Sequence, residues 1–197
     1  MAAAEKNIRA FLAIEPPEDL LQTVIRLQEK LKREISGRLS WTKPGRQHLT
    51  LKFFGDVSAG DVDQISRILH NRLQFGAAIR LKIEKLGIFP DASRPRVLWC
   101  DTSGNVEGLA ALQKQMEADF AGIGFPEEDR PFRAHLTLAR IKDPREISGL
   151  NDALTKHAAF SAGEFQVREM ILFQSKRTPQ GAIYTRLATF PLTGVIL

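Results

Sequence analysis

The four letters His48-Leu49-Thr50-Leu51 return as His135-Leu136-Thr137-Leu138, and this repeat constrains the chain more than any other feature it has. Each copy runs on into apolar sequence, Lys52-Phe53-Phe54-Gly55 in the first and Ala139-Arg140-Ile141 in the second, so both predict β-strands. Side chains alternate across a strand, which sets His48 and Thr50 on one face and Leu49, Leu51 and Phe53 on the other. The same alternation separates His135 and Thr137 from Leu136 and Leu138. The leucine faces suit a core, and an imidazole and a hydroxyl then share the opposite face of each strand. Strict alternation also puts Lys52 with His48 and Thr50, whereas Arg140 falls on the face away from His135 unless its strand is bulged.

An imidazole accepts or gives a proton near neutral pH. A threonine hydroxyl donates to an anionic oxygen without adding a charge. Two such arms facing one another would hold a phosphate with an acid and a base on opposite sides, the arrangement that in-line displacement at phosphorus requires. The bland reading, that His-Leu-Thr-Leu is only good strand sequence, suits one copy better than two. A zinc site through His48 and His135 is the competing chemistry. Against it, each copy supplies one imidazole, no acidic residue repeats nearby, and threonine is a poor zinc ligand.

Composition adds bounds rather than chemistry. With 197 residues, 43% hydrophobic and 26% charged, the chain is of ordinary globular make-up, and a net charge of +5 with pI near 9.6 favours an anionic partner. Cys100 is the only cysteine, which rules out an intrachain disulfide and a cysteine metal cluster; its apolar setting Val97-Leu98-Trp99-Cys100 predicts a buried thiol. The opening residues 1–6 lack a long apolar core and no run is long enough to span a bilayer, so the expectation is a cytoplasmic protein without a membrane partner.

In chain order, residues 7–15 predict a strand ended by Pro16-Pro17, and 18–35 an amphipathic helix through Leu20, Leu21, Val24, Leu27 and Leu31. A short strand over 39–42 precedes the first phrase. A helix over 61–75 follows it, then strands over 77–88 and 97–102, a helix over 107–120 and the second phrase over 132–141. A helix over 144–160 and strands over 164–175 and 182–192 complete the chain, the last two as a hairpin around residues 177–181. His70 and His157 fall in helices and read as structural. Arg94, Arg96 and the basic hairpin loop are candidate RNA contacts.

The two phrases, with Phe132-Arg133-Ala134 before the second, Leu86-Gly87-Ile88-Phe89-Pro90 and Arg94-Pro95-Arg96-Val97-Leu98-Trp99 between them, and Phe173-Gln174-Ser175 to Gly181-Ala182-Ile183-Tyr184 after, resemble the two-histidine (2H) phosphoesterases of the LigT type. These are the RNA 2′,3′-cyclic phosphodiesterases, formerly described as 2′-5′ RNA ligases. Ala134 departs from the proline usual before the second histidine, which relaxes the strand entry and removes no chemical group. The resemblance implies an α+β fold, a single bilobed domain over residues 1–197. In it two antiparallel sheets related by a pseudo-twofold line a central cleft, with helices outside. It implies that His135 is the proton acceptor acting on water and His48 the proton donor to the leaving ribose oxygen, with Thr50 and Thr137 holding the phosphate oxygens and Arg140 a further substrate contact. The implied substrate is RNA ending in a 2′,3′-cyclic phosphate, tRNA fragments included. The resemblance further implies no cofactor, no metal, a monomer, and a reverse reaction that joins a 5′-hydroxyl as a 2′-5′ bond. The sequence leaves open another 2H substrate, such as 2′-5′ oligoadenylate, ADP-ribose 1″,2″-cyclic phosphate or a cyclic nucleotide. It also leaves open a non-catalytic module that binds RNA ends.

Overall fold

The computed structural model describes residues 7–74, 78–179 and 181–192. Nine strands form one curled antiparallel sheet: β1 (Ile8–Ile14), β2 (Leu39–Trp41), β3 (Leu49–Val57), β4 (Ile79–Phe89), β5 (Val97–Gly104), β6 (His135–Ile141), β7 (Ser161–Val167), β8 (Glu169–Thr178) and β9 (Gly181–Pro191). The helices are α1 (Glu18–Glu34), α2 (Ala59–Leu73), α3 (Val106–Ala121) and α4 (Leu150–Lys156). The strand order is β7-β4-β5-β6-β3-β1-β8-β9, with β2 added to β6. A single residue pair, Leu49 opposite Leu136, joins β3 to β6 at the middle. On either side of that seam lie four strands, β3-β1-β8-β9 in the first half and β6-β5-β4-β7 in the second, each half led by one copy of the repeated phrase.

The helices cross between the halves. Helix α1 leaves β1 of the first half but packs beneath β7 and α4 of the second, burying Leu20, Leu21, Val24, Leu27 and Leu31. Its acidic first turn, Glu18 and Asp19, and basic last turn, Lys32 and Arg33, complement the helix dipole. Helix α3 leaves β5 of the second half, touches β4 there, and packs against α2, with Phe120 edge-on to Phe54 of β3 at 4.9 Å. Ser58 and Asp61 close a capping box on α2, which therefore begins two residues before the apolar stripe announces it.

Two predicted elements divide. The helix expected over 144–160 is a short 3-10 turn, Pro144–Glu146, followed by α4. Gly149 separates them at φ 74, where a Cβ would lie 2.1 Å from the Glu34 carbonyl oxygen, so the chain bends where it crosses the end of α1. The strand expected over 164–175 is two strands at opposite ends of the sheet, β7 pairing with β4 and β8 with β1 and β9. Phe165 and Val167 enter the main core on one parity and Met170 and Leu172 on the other, with the switch at Arg168 and Glu169, while Ile171 and Phe173 are buried in the separate cluster around Phe11. Phe75, Ala77, Gln180 and the opening residues 1–6 of the sequence reading lie outside the described residues. Among the described residues, no helix is long and apolar enough to cross a membrane.

Candidate active site

The seam between the halves sets the site. Leu49 and Leu136 are fully buried and face the helices, so the flanking His48, Thr50, His135 and Thr137 face the other side of the sheet, all half-buried. One further step of antiparallel register in each direction sets Thr50 against His135 and His48 against Thr137. The imidazoles thus stand on one diagonal across the seam and the hydroxyls on the other.

Both rings are held alike. His48 Nδ1 lies 3.0 Å from the Arg46 carbonyl oxygen, and His135 Nδ1 lies 2.8 Å from that of Arg133. A carbonyl oxygen only accepts, so each Nδ1 carries the proton and each neutral ring keeps a basic Nε2 for the site. Aromatic walls fix the ring planes. His48 lies against Phe11 at 4.8 Å and edge-on to Tyr184 at 5.2 Å, and His135 stands edge-on to Phe89 at 5.0 Å with Trp99 at 6.1 Å. Burial pushes the His48 pKa down to about 4; the Arg46 carbonyl opposes this, and the charge of His135 adds to it. His135 is also lowered, first by burial, with its Arg133 carbonyl and Asp101 opposing and the charges of Arg133 and Arg140 adding.

Each phrase carries a β-bulge at its second leucine. In β3, Leu12 pairs with Lys52 and Ala13 with Thr50, leaving Leu51 without a partner; in β6, Leu98 pairs with Ala139 and Trp99 with Thr137, leaving Leu138 without one. The two-against-one count inverts the parity of everything after it. Arg140 consequently emerges, exposed, on the same face as His135 and Thr137, as the conditional reading of the sequence required. Phe53 emerges at the matching place in the first half, 51% exposed and 5.8 Å from Phe11, instead of entering the core as alternation predicted. Lys52 turns inward, away from His48, and pairs with Glu117 at 2.5 Å while donating to the Pro126 carbonyl at 2.9 Å.

A buried glutamine holds each bulge. Gln113 of α3 donates to the Leu51 carbonyl at 3.2 Å, and Gln28 of α1 donates to the Leu138 carbonyl at 3.1 Å. Both side chains come from the helix that crossed from the opposite half. Sequence reasoning missed these two residues; the only available signal was a polar residue on the apolar stripe of each helix. It also missed the aromatic walls, although the uninterrupted apolar run Ala10 to Ile14 already implied that both faces of β1 are covered.

The other candidates lie elsewhere. His157 pairs with Glu34 at 2.7 Å between α4 and α1, a structural role as expected, and Cys100 is buried, its thiol pushed up by that burial. Arg94 lies in an exposed turn closed by Asp91, and Arg177 is exposed near the end of β8. Among the described residues, no group of three or more His, Cys, Asp or Glu side chains is placed to hold a metal ion.

Comparison with known proteins matches residues 14–99 and 102–184 to the family described as LigT like phosphoesterase. An RNA 2′,3′-cyclic phosphodiesterase of Methanothermobacter thermautotrophicus is 34% identical over 94% of this chain and 100% of its own. A protein of the same name from Aquifex aeolicus is 31% identical over 96% of this chain and 100% of its own. The crystal structure of TT0787 from Thermus thermophilus superposes with a TM-score of 0.74 at 27% identity, covering 95% of this chain and 99% of that one.

Proposed function

Because the chain belongs to the LigT-like phosphoesterase family, we propose that it hydrolyses a 2′,3′-cyclic phosphate at the end of an RNA strand to a 2′-phosphomonoester. The observation that carries this reading is the diagonal pair of imidazoles, each pinned through Nδ1 so that Nε2 serves the face they share. Relatives named RNA 2′,3′-cyclic phosphodiesterase along nearly the whole chain support the substrate.

In the proposed reaction His135 Nε2 takes a proton from water as the water oxygen bonds to phosphorus. The bond from phosphorus to the ribose 3′-oxygen breaks, and His48 gives its Nε2 proton to that oxygen; the 2′-oxygen stays on phosphorus. The direction of transfer follows the family resemblance, since the two arms are alike by geometry. Thr50 and Thr137 donate to the non-bridging oxygens as charge gathers there, and Arg140 contacts the same anion. Burial keeps both rings neutral in the free protein at neutral pH. The acid therefore gains its proton with the substrate, whose negative charge favours an imidazolium beside it. The same proton transfers run backward would join a 5′-hydroxyl to the cyclic phosphate as a 2′-5′ bond.

Incubation with a dinucleotide ending in a 2′,3′-cyclic phosphate, in EDTA, tests the reading. Turnover to a 2′-phosphate is expected, with about two to four orders of magnitude lost in His48→Ala and in His135→Ala. Full activity in either variant, a 3′-phosphate product, or turnover abolished by EDTA would sink it.

A further inference from the structure

The ladder joins the two histidine strands through a single residue pair, Leu49 with Leu136. Further ties between the arms run on the helix side of the sheet, through buried polar side chains. Past the bulge at Leu51, Lys52 and Phe54 both turn inward. Phe54 meets Phe125 edge-on at 5.2 Å, and the Lys52 ammonium donates to the next carbonyl, that of Pro126, at 2.9 Å. Phe125 and Pro126 open the segment 125–134, which is neither strand nor helix and ends at His135. The strand that bears His48 therefore holds the segment that delivers His135. Helix α3 locks this grip: Glu117 pairs with Lys52 at 2.5 Å and accepts from Gln113 at 2.8 Å, and Gln113 donates on to the Leu51 carbonyl in the bulge.

The other half repeats the plan without charges. Gln28 of α1, on the carbonyl of the bulge residue Leu138, also donates to the Thr42 carbonyl at 2.7 Å and accepts from the buried Gln47 side chain at 3.4 Å. Thr42 and Gln47 stand at either end of the turn that leads into His48. Each bulge is thus tied, by the helix that crossed over, to the entry of the opposite phrase. Stability is a poor explanation for the ionic tie. Lys52 and Glu117 are 4% and 5% exposed, and the water they give up offsets much of their attraction, so an apolar pair of like volume would serve a core as well. What the ions and the glutamine add is direction, because their hydrogen bonds set the Pro126 carbonyl at a fixed place relative to that of Leu51.

We infer that Lys52, Glu117 and Gln113 on one side, and Gln28 with Gln47 on the other, are positioning residues: two buried straps that fix how the His48 and His135 arms meet across the seam. The inference rests on the function proposed above, which puts one phosphate between the arms. In-line displacement is sensitive to such placement, since a shift of about 1 Å in a reacting group can remove a hundred-fold in rate. A seam of one ladder pair leaves that placement to the straps.

Lys52→Met combined with Glu117→Met in the whole protein tests this, because it removes the ionic strap and one charge of each sign. The urea midpoint should stay near that of wild type. In the same variant kcat for a dinucleotide ending in a 2′,3′-cyclic phosphate should fall about ten- to hundred-fold, and inorganic phosphate, which both arms hold, should bind more weakly. Added to His135→Ala, the pair should cost less in kcat than it does alone. Gln47→Met, which touches the uncharged strap, should show the same losses of kcat and phosphate affinity, and it decides the matter if the double variant does not fold. Wild-type kcat and phosphate affinity in either folded variant would make the buried groups mere contributors to stability and overturn the inference, as would a kcat loss that multiplies fully with His135→Ala. Wild-type protein that turns over no cyclic phosphate, but binds inorganic phosphate with an affinity that the variants lose, would refute the proposed reaction and leave the straps standing.

Discussion

A buried imidazole that gives its Nδ1 proton to a backbone carbonyl is oriented but reluctant to charge, and the pH dependence follows from that. In the free protein the His48 pKa is about 4 and that of His135 lies below its ordinary value. The proposed reaction needs one ring protonated and the other neutral, so kcat/KM should trace a bell with both limbs below pH 6.5. Substrate brings negative charge, so the bell for kcat should sit at higher pH. Rate profiles on a cyclic dinucleotide check both, and a kcat/KM optimum above pH 7 would contradict them. Stability shares the origin: the unfolded chain takes up the His48 proton near pH 6.5, the folded one only near 4. Stability present at and above pH 6.5 is therefore lost as pH falls through this window, and His48→Asn should reduce that loss in urea melts at pH 5 against pH 7. At this scale the sequence was informative, because duplication marked both histidines and strand alternation paired each with its threonine. The Nδ1 contacts were not legible, since they depend on how tightly the backbone turns at Arg46 and Arg133.

Strand alternation failed at one kind of place, the bulge at the second leucine of each phrase, and it failed there for a physical reason. Two adjacent apolar residues, Leu138 and Ala139, read as continuing core whether or not one of them lacks a partner across the sheet. The bulge therefore hid the inward turn of Lys52 and the outward turn of Phe53, while Arg140 could be assigned only conditionally. What fixes the bulges is helical: Gln113 donates to the Leu51 carbonyl, and Gln28 joins the Thr42 N–H on the Leu138 carbonyl. Gln113→Met keeps volume and takes the side-chain donor from the buried Leu51 carbonyl, while Gln28→Met takes it from the Thr42 carbonyl and leaves Leu138 only the Thr42 N–H; each should cost about 1–3 kcal/mol. If the bulge at Leu138 is what presents Arg140, Gln28→Met should raise KM as Arg140→Ala does, and the double variant should be no worse than Arg140→Ala. Fully multiplicative KM effects would show that Gln28 acts only on stability.

At the scale of the whole molecule, duplication showed only the repeated phrase, and the pseudo-twofold came from the family resemblance; the strand order is symmetric in that way around the seam at Leu49 and Leu136. The exchange of helices was not legible, because an amphipathic stripe shows that a helix is buried on one side and not which sheet buries it. Yet the exchange decides how the protein comes apart. Helix α1 lies beneath the second half and α3 beneath the first, so neither half retains its core when the other opens. Both tryptophans, Trp41 on β2 and Trp99 on β5, stand in the second half, which makes their fluorescence a reporter for that half alone. Leu69 is fully buried on α2, which packs on α3 and β9 beneath the first half. Leu69→Ala should cost about 2–5 kcal/mol. A cooperative molecule passes that cost to the distant tryptophans, so the urea midpoints by fluorescence and by far-UV circular dichroism should fall together in a single transition. A fluorescence midpoint left at its wild-type value while the dichroism midpoint drops would mean that the second half stands alone, and that the crossed helices do not couple the two arms of the site.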